Sequence, residues 1–222
     1  MEAPRIAILI PAFNEEKTIA SVILGTLRFG DVFVSDDGST DKTAEIAERS
    51  GATVLSRMEN QGYDSALNFG YQSLRNQGYF GIVTIDADGQ HDPNDVELLV
   101  EGLLQGFEVI VGIRPQKARV MESVFGLITR SFWGVKDPLC GMKAYNVKVL
   151  NDKEFLGAYN SVGTEILMFS LVSGLKVGSI PISGRNRYGH SRFAGRLRAN
   201  VLIGMALLMA LRRIRFWRQA RD

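Results

Sequence analysis

The sequence predicts an α/β fold in which a mainly parallel β-sheet is covered by helices on both faces. Through the first two thirds of the 222 residues, strand-like runs alternate with segments of helical periodicity, an order typical of parallel sheets. The strand-like runs are apolar almost throughout, as expected for strands with both faces buried. Three polar clusters, PAFNE, DDGSTD and DADGQ, directly follow such runs. Ligands of these sheets bind beyond the carboxyl ends of the strands, so we expect the clusters to meet at one edge.

The elements of this region follow from periodicity and from their end signals. The predicted strands are residues 5–12, 31–40, 52–57, 79–88 and 107–114, the second and fourth ending in carboxylates. The predicted helices are residues 14–28, 41–51, 60–78 after an initial turn, and 93–106. Asn14 is the expected N-cap of the first helix, with acids in its first turn, Gly51 closes the second, and Pro93 lies near the start of the fourth.

The last third is less regular, and its pattern changes near its end. Residues 136–150 predict a loop with a short strand or hairpin, 161–176 a helix, 176–183 a strand and 184–192 a basic loop. We therefore divide the chain into a domain over 1–195 and a C-terminal helix over 196–222.

Composition limits the classes of protein to which the chain can belong. Its length suits one domain with a substantial core, and a single cysteine, Cys140, excludes an internal disulfide framework and fits a reducing compartment. No secretory signal is expected at the N-terminus. The formal net charge is +2, but ten arginines lie from Arg185 onward against one acid, Asp222. This asymmetry suggests a partner that carries phosphate.

The pair Asp86 and Asp88, separated by one alanine, is the main chemical signal. Charges this close repel, but a turn directly after the strand could direct both carboxylates at one hard cation, which would relieve the repulsion. Mg²⁺ and Mn²⁺ prefer oxygen ligands, so the two aspartates and the Gln90 amide are candidate ligands, with phosphate and water completing the shell. The alternative is an ordinary polar turn, since Asp and Gly are common in turns.

The other two clusters allow a similar choice. In PAFNEE, Asn14 could be a helix cap, while Glu15 or Glu16 could contact nucleoside groups. Asp36 and Asp37 can accept hydrogen bonds from a base or ribose, while Ser39 or Thr40 could cap the following helix. Capping does not account for two adjacent aspartates.

Five segments in order, PAFNEE, VSDDGSTDKT, NQGYDSALNFG, IDADGQHDP and GIR, resemble the family 2 inverting glycosyltransferases, which have the Rossmann-like glycosyltransferase-A fold. DADGQHDP is similar in particular to the polyprenyl-phosphate hexose synthases, typified by dolichyl-phosphate mannose synthase, and PISGRNRYGHSRF is similar to that group's Arg-x-Gly-x-Ser-Lys/Arg segment. The resemblance spans about Ile6 to Phe193. It implies a metal-dependent transfer of a hexose from a GDP-mannose or UDP-glucose type donor to a polyprenyl phosphate.

The resemblance also implies site residues. Those expected to bind the nucleotide sugar are Pro11, Asn14, Glu15, Asp36, Asp37, Asp86 and Arg114. Those expected to bind the metal are Asp86, Asp88 and Gln90, and those expected to meet acceptor phosphate are Arg187, Ser191 and Arg192. Many relatives have a lysine after Asn60-x-Gly62, where this chain has Tyr63 and Asp64.

The chemistry of the acceptor decides whether a general base is needed. A hydroxyl acceptor must lose a proton, whereas a lipid phosphate is already an anion. The candidate catalytic acids are Asp88, Glu165 and Asp137, and Glu165 can equally be a first-turn glutamate favoured by the helix dipole. Arginine forks in RNRYGHSR suit phosphate. The rivals are a same-fold transferase acting on a hydroxyl of a glycan or lipopolysaccharide, and a non-catalytic basic module binding membrane or nucleic acid. No nucleic-acid fold motif supports the latter, so no nucleic-acid partner is expected.

The C-terminal segment suggests contact with lipid. Thirteen mostly apolar residues lie between Arg198 and Arg212, fewer than the roughly 20 that cross a bilayer. The arginines, Phe216 and Trp217 that follow suit an anionic headgroup layer, so we expect a peripheral contact at the cytoplasmic face of the membrane. The alternatives are a helix that covers the sheet and a homodimer contact.

Overall fold

The computed structural model describes residues 3–115, 120–150 and 162–184, and these ranges contain a seven-stranded sheet. Its strands are β1 Ile6–Ala12, β2 Asp31–Asp36, β3 Thr53–Ser56, β4 Gly81–Thr84, β5 Val109–Ile113, β6 Lys143–Asn146 and β7 Val177–Pro181. The strand order is β3-β2-β1-β4-β6-β5-β7, with β6 antiparallel to both neighbours and the other pairs parallel. The predicted mainly parallel α/β sheet is confirmed.

Helices connect these strands, and five of them lie where the periodicity predicts a helix. The helices are α1 Ile19–Thr26, α2 Thr43–Arg49, α3 Tyr63–Leu74, α4 Val96–Leu104, α5 Val120–Trp133, α6 Val147–Leu150 and α7 Val162–Val172. Short 3₁₀ turns at Leu27–Phe29 and Pro93–Asp95 extend α1 and precede α4. Helices α1 and α2 contact each other, while α3, which returns the chain to β4, packs on β1 and β2. With the usual right-handed crossover between parallel strands, α1 and α2 lie on one face of the sheet and α3 lies on the other. Within the described ranges, no helix has the length and apolar character needed to cross a bilayer.

The core explains why the strands are apolar throughout. All seven residues of β1 are buried, since this central strand has helices on both faces. On the α3 side, the rings of Tyr71 and Tyr145 meet edge to face with centroids 5.7 Å apart, and both side chains are fully buried.

The topology places one crevice at the carboxyl end of β1 and β4. From β1 the chain moves outward to β2 and β3, then returns to β4 on the other side of β1, which makes this pair the switch point of the sheet. Because β6 is antiparallel, its first residue, Lys143, lies opposite Thr84, the last residue of β4. The loop before β6 therefore reaches the same edge as the segments that follow β1, β2, β4 and β5.

Several local predictions are wrong. Helix α1 begins at Ile19, with Thr18 at its N-cap position and no acid in its first turn, so Asn14 is not its cap. Neither Ser39 nor Thr40 caps α2, because Lys42 holds that position. The 14-residue α5 lies in a segment that the sequence patterns left unassigned. The predicted strands 31–40 and 79–88 end earlier, at Asp36 and Thr84, where polar turns replace the hydrogen-bonded strand pairing.

The predicted C-terminal helix over 196–222 lies outside the described residues, as do Arg187, Ser191 and Arg192.

Candidate active site

Asp86 lies two residues beyond the end of β4, and its carboxylate is held from three directions. Oδ1 accepts a hydrogen bond of 2.7 Å from the Tyr63 hydroxyl, and Oδ2 lies 3.2 Å from Nε2 of His91. On the third side, the backbone of Gly141 lies so close that a Cβ atom added to this glycine would overlap both carboxylate oxygens. The side chain keeps 28% of its surface exposed. It is therefore fixed in orientation while one part still faces solvent.

These contacts stabilise the ionised form of Asp86. Burial on its own raises the pKa of this carboxyl, but the hydrogen bond and charge of His91, the Tyr63 hydroxyl and the charge of Lys143 outweigh burial and lower the pKa to about 2. The group is an anion at every physiological pH.

Asp88 follows in a tight turn. Its Oδ1 accepts a hydrogen bond of 3.0 Å from the backbone N–H of Gln90, and Gly89 between them has a positive φ of 73°. That left-handed conformation favours glycine, which explains why the motif is DADG rather than a continued strand.

The described residues contain no cluster of three or more His, Cys, Asp or Glu side chains arranged to bind a metal ion. The predicted donor set, which stays a prediction, is the carboxylates of Asp86 and Asp88 and the amide of Gln90. Such a set fits Mg²⁺ or Mn²⁺, which take few oxygen ligands from protein and the remainder from phosphate and water.

Asn14 joins the loop after β1 to the loop after β2. Its Oδ1 accepts hydrogen bonds from the backbone N–H groups of Thr40 at 2.8 Å and Asp41 at 3.3 Å, and its own N–H donates to Ser39 Oγ at 2.9 Å. Its φ of 52° is the one positive value among non-glycine residues in the described ranges. The neighbouring Glu15 N–H donates to Thr43 Oγ1 at 2.7 Å. The loop segments PAFNEE and DDGSTDKT are thus in contact with each other, and Pro11 is buried near the end of β1.

Asp36 and Asp37 are both nearly inaccessible, with 4% and 2% of their surface exposed. Asp36 accepts a hydrogen bond of 3.3 Å from the Ser39 N–H. Asp37 forms an ion pair with Arg57 and accepts a hydrogen bond of 2.7 Å from the Gly62 N–H. These contacts hold the surrounding loops in place, and a direct contact of either carboxylate with a nucleoside stays a prediction.

Asp137 is fully buried and paired with Arg114. Its Oδ2 accepts from Arg114 Nε at 2.8 Å and from the Arg114 backbone N–H at 3.2 Å, while its Oδ1 accepts from a terminal guanidinium nitrogen at 2.9 Å. Glu122 lies 3.3 Å from the same guanidinium. Burial raises the pKa of Asp137, but the hydrogen bonds and charge of Arg114 outweigh it, and the pKa is lowered.

These contacts do not favour Asp137 as a catalytic base, and that role stays a prediction. A base must reach a substrate proton and have a pKa suited to taking it, and this carboxylate is inaccessible, bonded through both oxygens and less basic than usual. The prediction that Arg114 contacts phosphate is not tested, but the nitrogens of its guanidinium group already contact Asp137 and Glu122.

Glu165 lies in the first turn of α7 and is 9% exposed. The start of this helix is held by Asp64, whose Oδ1 accepts a hydrogen bond of 2.8 Å from the Val162 N–H. At the start of α3, the adjacent Tyr63 and Asp64 thus connect Asp86 to the helix that carries Glu165. The two residues that depart from the family pattern both have contacts at this edge of the sheet.

The sequence interpretation missed four residues of the site: Tyr63 and His91 as partners of Asp86, Gly141, and Lys143. Lys143 is 5% exposed, and its ammonium donates to the Cys140 carbonyl oxygen. Burial lowers its pKa, against the nearby Cys140, Asp137 and Asp86, which raise it. A lysine at the first position of the short strand KAYN, directly after Met142, was the available signal.

Comparison with known proteins identifies the family and the fold. Residues 7–152 match the family model described as glycosyl transferase family 2. An uncharacterized protein of Methanocaldococcus jannaschii is 32% identical over 93% of this chain and 90% of its own length. A dolichyl-phosphate hexose transferase of Haloferax volcanii is 28% identical over 86% of this chain and 88% of its own length.

A solved structure has the same fold. Glucosyl-3-phosphoglycerate synthase from Mycobacterium tuberculosis, in complex with Mn²⁺, UDP-glucose and glycerol 3-phosphate, superposes with a TM-score of 0.76 at 26% identity, covering 96% of this chain and 80% of the synthase.

Proposed function

The chain belongs to the family 2 glycosyltransferases, and we propose that it transfers a hexose, with inversion, from a nucleotide-diphosphate sugar to a polyprenyl phosphate. The donor class is supported by the Mycobacterium tuberculosis synthase, which was crystallised with Mn²⁺ and UDP-glucose. The acceptor class is supported by the name of the Haloferax volcanii relative, a dolichyl-phosphate hexose transferase.

One observation carries the donor half of the proposal. The acidic turn after β4 and the joined loops after β1 and β2 lie at the carboxyl edge of the sheet, on both sides of its switch point. A nucleoside at the β1 and β2 loops would then present its diphosphate to Asp86 and Asp88. Pro11, Asn14, Glu15, Asp36 and Asp37 surround the proposed nucleoside position.

Each acidic residue has a distinct role in this scheme. Asp86 and Asp88, with Gln90, would hold Mg²⁺ or Mn²⁺, which when bound neutralises negative charge on the departing nucleoside diphosphate. Tyr63 and His91 keep the Asp86 carboxylate ionised and oriented. Asp137 holds Arg114 in place, and Arg114 adds positive charge behind the diphosphate position.

A phosphate acceptor removes the need for a strong general base. Asp137 is buried and paired with Arg114. Among the predicted acids outside the metal turn, Glu165 is therefore the remaining candidate for a general base. A phosphate monoester is already anionic and needs no deprotonation to attack. We infer that Arg187, Ser191 and Arg192 bind the acceptor phosphate, and that the C-terminal segment holds the enzyme at the cytoplasmic face of the membrane.

The direct test offers purified protein radiolabelled GDP-mannose or UDP-glucose with undecaprenyl phosphate and Mn²⁺. We expect a labelled lipid product from one donor, abolished by a chelator and by Asp88→Ala. No lipid product from any donor, with transfer to a soluble glycan instead, would refute the acceptor assignment.

The rival acceptor is a hydroxyl, and Glu165 separates the two possibilities. The Mycobacterium tuberculosis synthase gives this rival a concrete example, because a related complex of it was crystallised with UDP-glucose and phosphoglyceric acid. With a hydroxyl acceptor, Glu165→Gln should lower kcat by about 100-fold or more, because the base is removed. With a phosphate acceptor, kcat should change less than about tenfold. Salt-sensitive DNA binding without affinity for nucleotide sugars would instead support the non-catalytic basic module.

A further inference from the structure

Lys143 is a buried cation to which the proposed reaction assigns no role. It is the first residue of β6 and is 5% exposed. In the sheet it lies opposite Thr84, and Asp86 follows Thr84 by two positions. Its ammonium donates a hydrogen bond to the carbonyl oxygen of Cys140, the residue before the glycine that packs against the Asp86 carboxylate. A positive charge therefore lies in the wall of the acidic turn.

The strand places this ammonium on the side of the sheet that α3 and α7 cover. Side chains two positions apart in a strand share a face, so Lys143 and Tyr145 point to the same side. A Cβ atom added to Gly163, in the first turn of α7, would lie 3.2 Å from the Tyr145 hydroxyl and 3.8 Å from Lys143 Nζ. Asp64 at the start of α3 also reaches this turn, where it accepts from the Val162 N–H. The ammonium thus lies near both the acidic turn and the first turn of α7.

The charge of Lys143 acts on three buried carboxylates. They are those of Asp64, Asp86 and Asp137. At each of them burial raises the pKa, and the positive charge of Lys143 acts in the opposite direction. Asp86 does not need this charge to stay ionised, because His91 and Tyr63 lower its pKa more than Lys143 does. Keeping Asp86 ionised therefore does not by itself account for a buried lysine.

We propose that Lys143 determines what the acidic turn binds, because its charge favours a metal–nucleotide complex over a free metal ion. The inference rests on the proposed function and adds to it how the metal enters the site. A free divalent ion beside Asp86 meets the positive charge of Lys143, which opposes binding. A nucleoside diphosphate carries several negative charges, which the same lysine attracts. Salt screens both interactions only weakly, since the lysine is buried.

Two substitutions and a control isolate this charge. Lys143→Met is neutral and keeps an unbranched side chain of similar length, whereas Lys143→Arg keeps the charge. Lys176→Met removes the same charge from an exposed lysine just before β7, at the opposite edge of the sheet. Thermal unfolding checks that each full-length variant is folded. If Lys143→Met does not fold, Lys143→Gln, which is neutral and polar, takes its place.

The readouts are the Kd of Mn²⁺ without nucleotide and the Kd of UDP or GDP without metal, both from calorimetry. In Lys143→Met, Mn²⁺ alone should bind at least about tenfold more tightly than in the wild type, because the repulsion is gone. The nucleotide alone should bind at least about threefold more weakly, because the attraction is gone. A lysine that only holds the fold together would weaken both when it is replaced. Lys143→Arg and Lys176→Met should stay within about threefold of the wild type for both ligands.

Two results would overturn the inference. One is a folded neutral variant of Lys143 that binds free Mn²⁺ no more tightly than the wild type. The other is an equal gain in Lys176→Met, which would assign the effect to the total charge of the protein. A failure of the proposed function looks different, because the wild type would then bind neither UDP nor GDP, with or without Mn²⁺. The comparison of Mn²⁺ affinities would still decide the effect of Lys143.

Discussion

At the scale of single residues, the site is a set of carboxylates that differ in what surrounds them. Asp86 is oriented by Tyr63 and His91 and keeps an exposed part. Asp137 has no exposed part and is bonded through both oxygens to Arg114. The same functional group is thus suited to bind a ligand in one place and to hold the fold in another, and each environment predicts a different result of substitution.

Asp88→Ala should abolish transfer and leave folding intact. The carboxylate lies in a turn beyond β4 and contributes little to the core, but its loss removes one of two proposed anionic metal ligands. We expect kcat to fall by at least about 100-fold, with the melting temperature changed by no more than a few degrees. The control is Asp92→Ala, which removes an aspartate of the same loop that accepts from the Asn94 N–H. Equal loss in both variants would contradict the assignment.

Asp137→Asn should destabilise the protein in a pH-dependent way. Because the folded-state pKa of Asp137 lies below the ordinary 3.8, its ionised form adds stability that is fully present above pH 3.8. That contribution is lost as the pH falls through the lower folded-state value. We expect a loss of about 3 kcal/mol at pH 7, measured by urea unfolding, that shrinks steadily below pH 4.

The matched control for this ion pair is Asp31→Asn. Asp31 pairs with Arg5 at 2.8 Å, but more than half of each side chain is exposed. Its substitution should cost less than about 1 kcal/mol, since solvent screens exposed pairs. If the difference in unfolding free energy between Asp137→Asn and the wild type did not depend on pH, the ion pair would not be the cause of that difference.

At the scale of elements, the antiparallel strand β6 brings the loop before it to the end of β4. Thr84 Oγ1 donates to the Gly141 carbonyl oxygen at 2.8 Å, which fixes the loop beside the strand. Gly141 then packs directly against the Asp86 carboxylate, where a side chain would overlap it. The orientation of the proposed metal ligand therefore depends on a glycine 55 positions further along the chain.

Gly141→Ala should impair metal binding more than it impairs folding. The added methyl group must displace the Asp86 carboxylate, and we expect affinity for Mn²⁺ in the presence of nucleotide to fall at least about tenfold, measured by calorimetry. The control is Gly102→Ala, whose Cβ would lie 2.7 Å from Ile110 Cδ1 in the core. That variant should lose stability, by roughly 1–3 kcal/mol, without a comparable change in metal affinity. The opposite pattern would contradict the proposed contact.

At the scale of the whole molecule, the switch point of the sheet brings together segments that are distant in sequence. The loops after β1, β2, β4 and β5, and the loop before β6, all end at one edge. A ligand that spans this edge touches several elements at once, so binding should stabilise the entire fold.

Thermal unfolding with nucleotide diphosphates tests this expectation and identifies the base. At 100 times its Kd, a ligand adds about 2.7 kcal/mol of stability, which for a chain of this size is a rise of roughly 5–11 °C in Tm. We expect either UDP or GDP, with Mn²⁺, to give this rise and the other to give little. The rise should disappear without metal and in Asp88→Ala. Equal shifts with all nucleotides, or with Mn²⁺ alone, would argue against a selective donor site.

The sequence by itself determined the features that depend on local pattern. Apolar runs and helical periodicity predicted the alternating elements, and the positions of PAFNE, DDGSTD and DADGQ after strands predicted which edge carries the site. The acidic turn was also predictable, because Gly89 permits the left-handed conformation that ends the strand.

Only the tertiary structure decided the features that depend on partners distant in the chain. The pairing of Asp137 with Arg114, the contacts of Tyr63 and His91 with Asp86, and the insertion of β6 between β4 and β5 join residues that no local pattern connects. A carboxylate's reactivity depends on burial and on nearby charges, and both are set when these segments pack together. For this reason the sequence could name Asp88 and Asp137 as candidate catalytic acids, whereas only the packed structure shows that Asp137 is paired with Arg114.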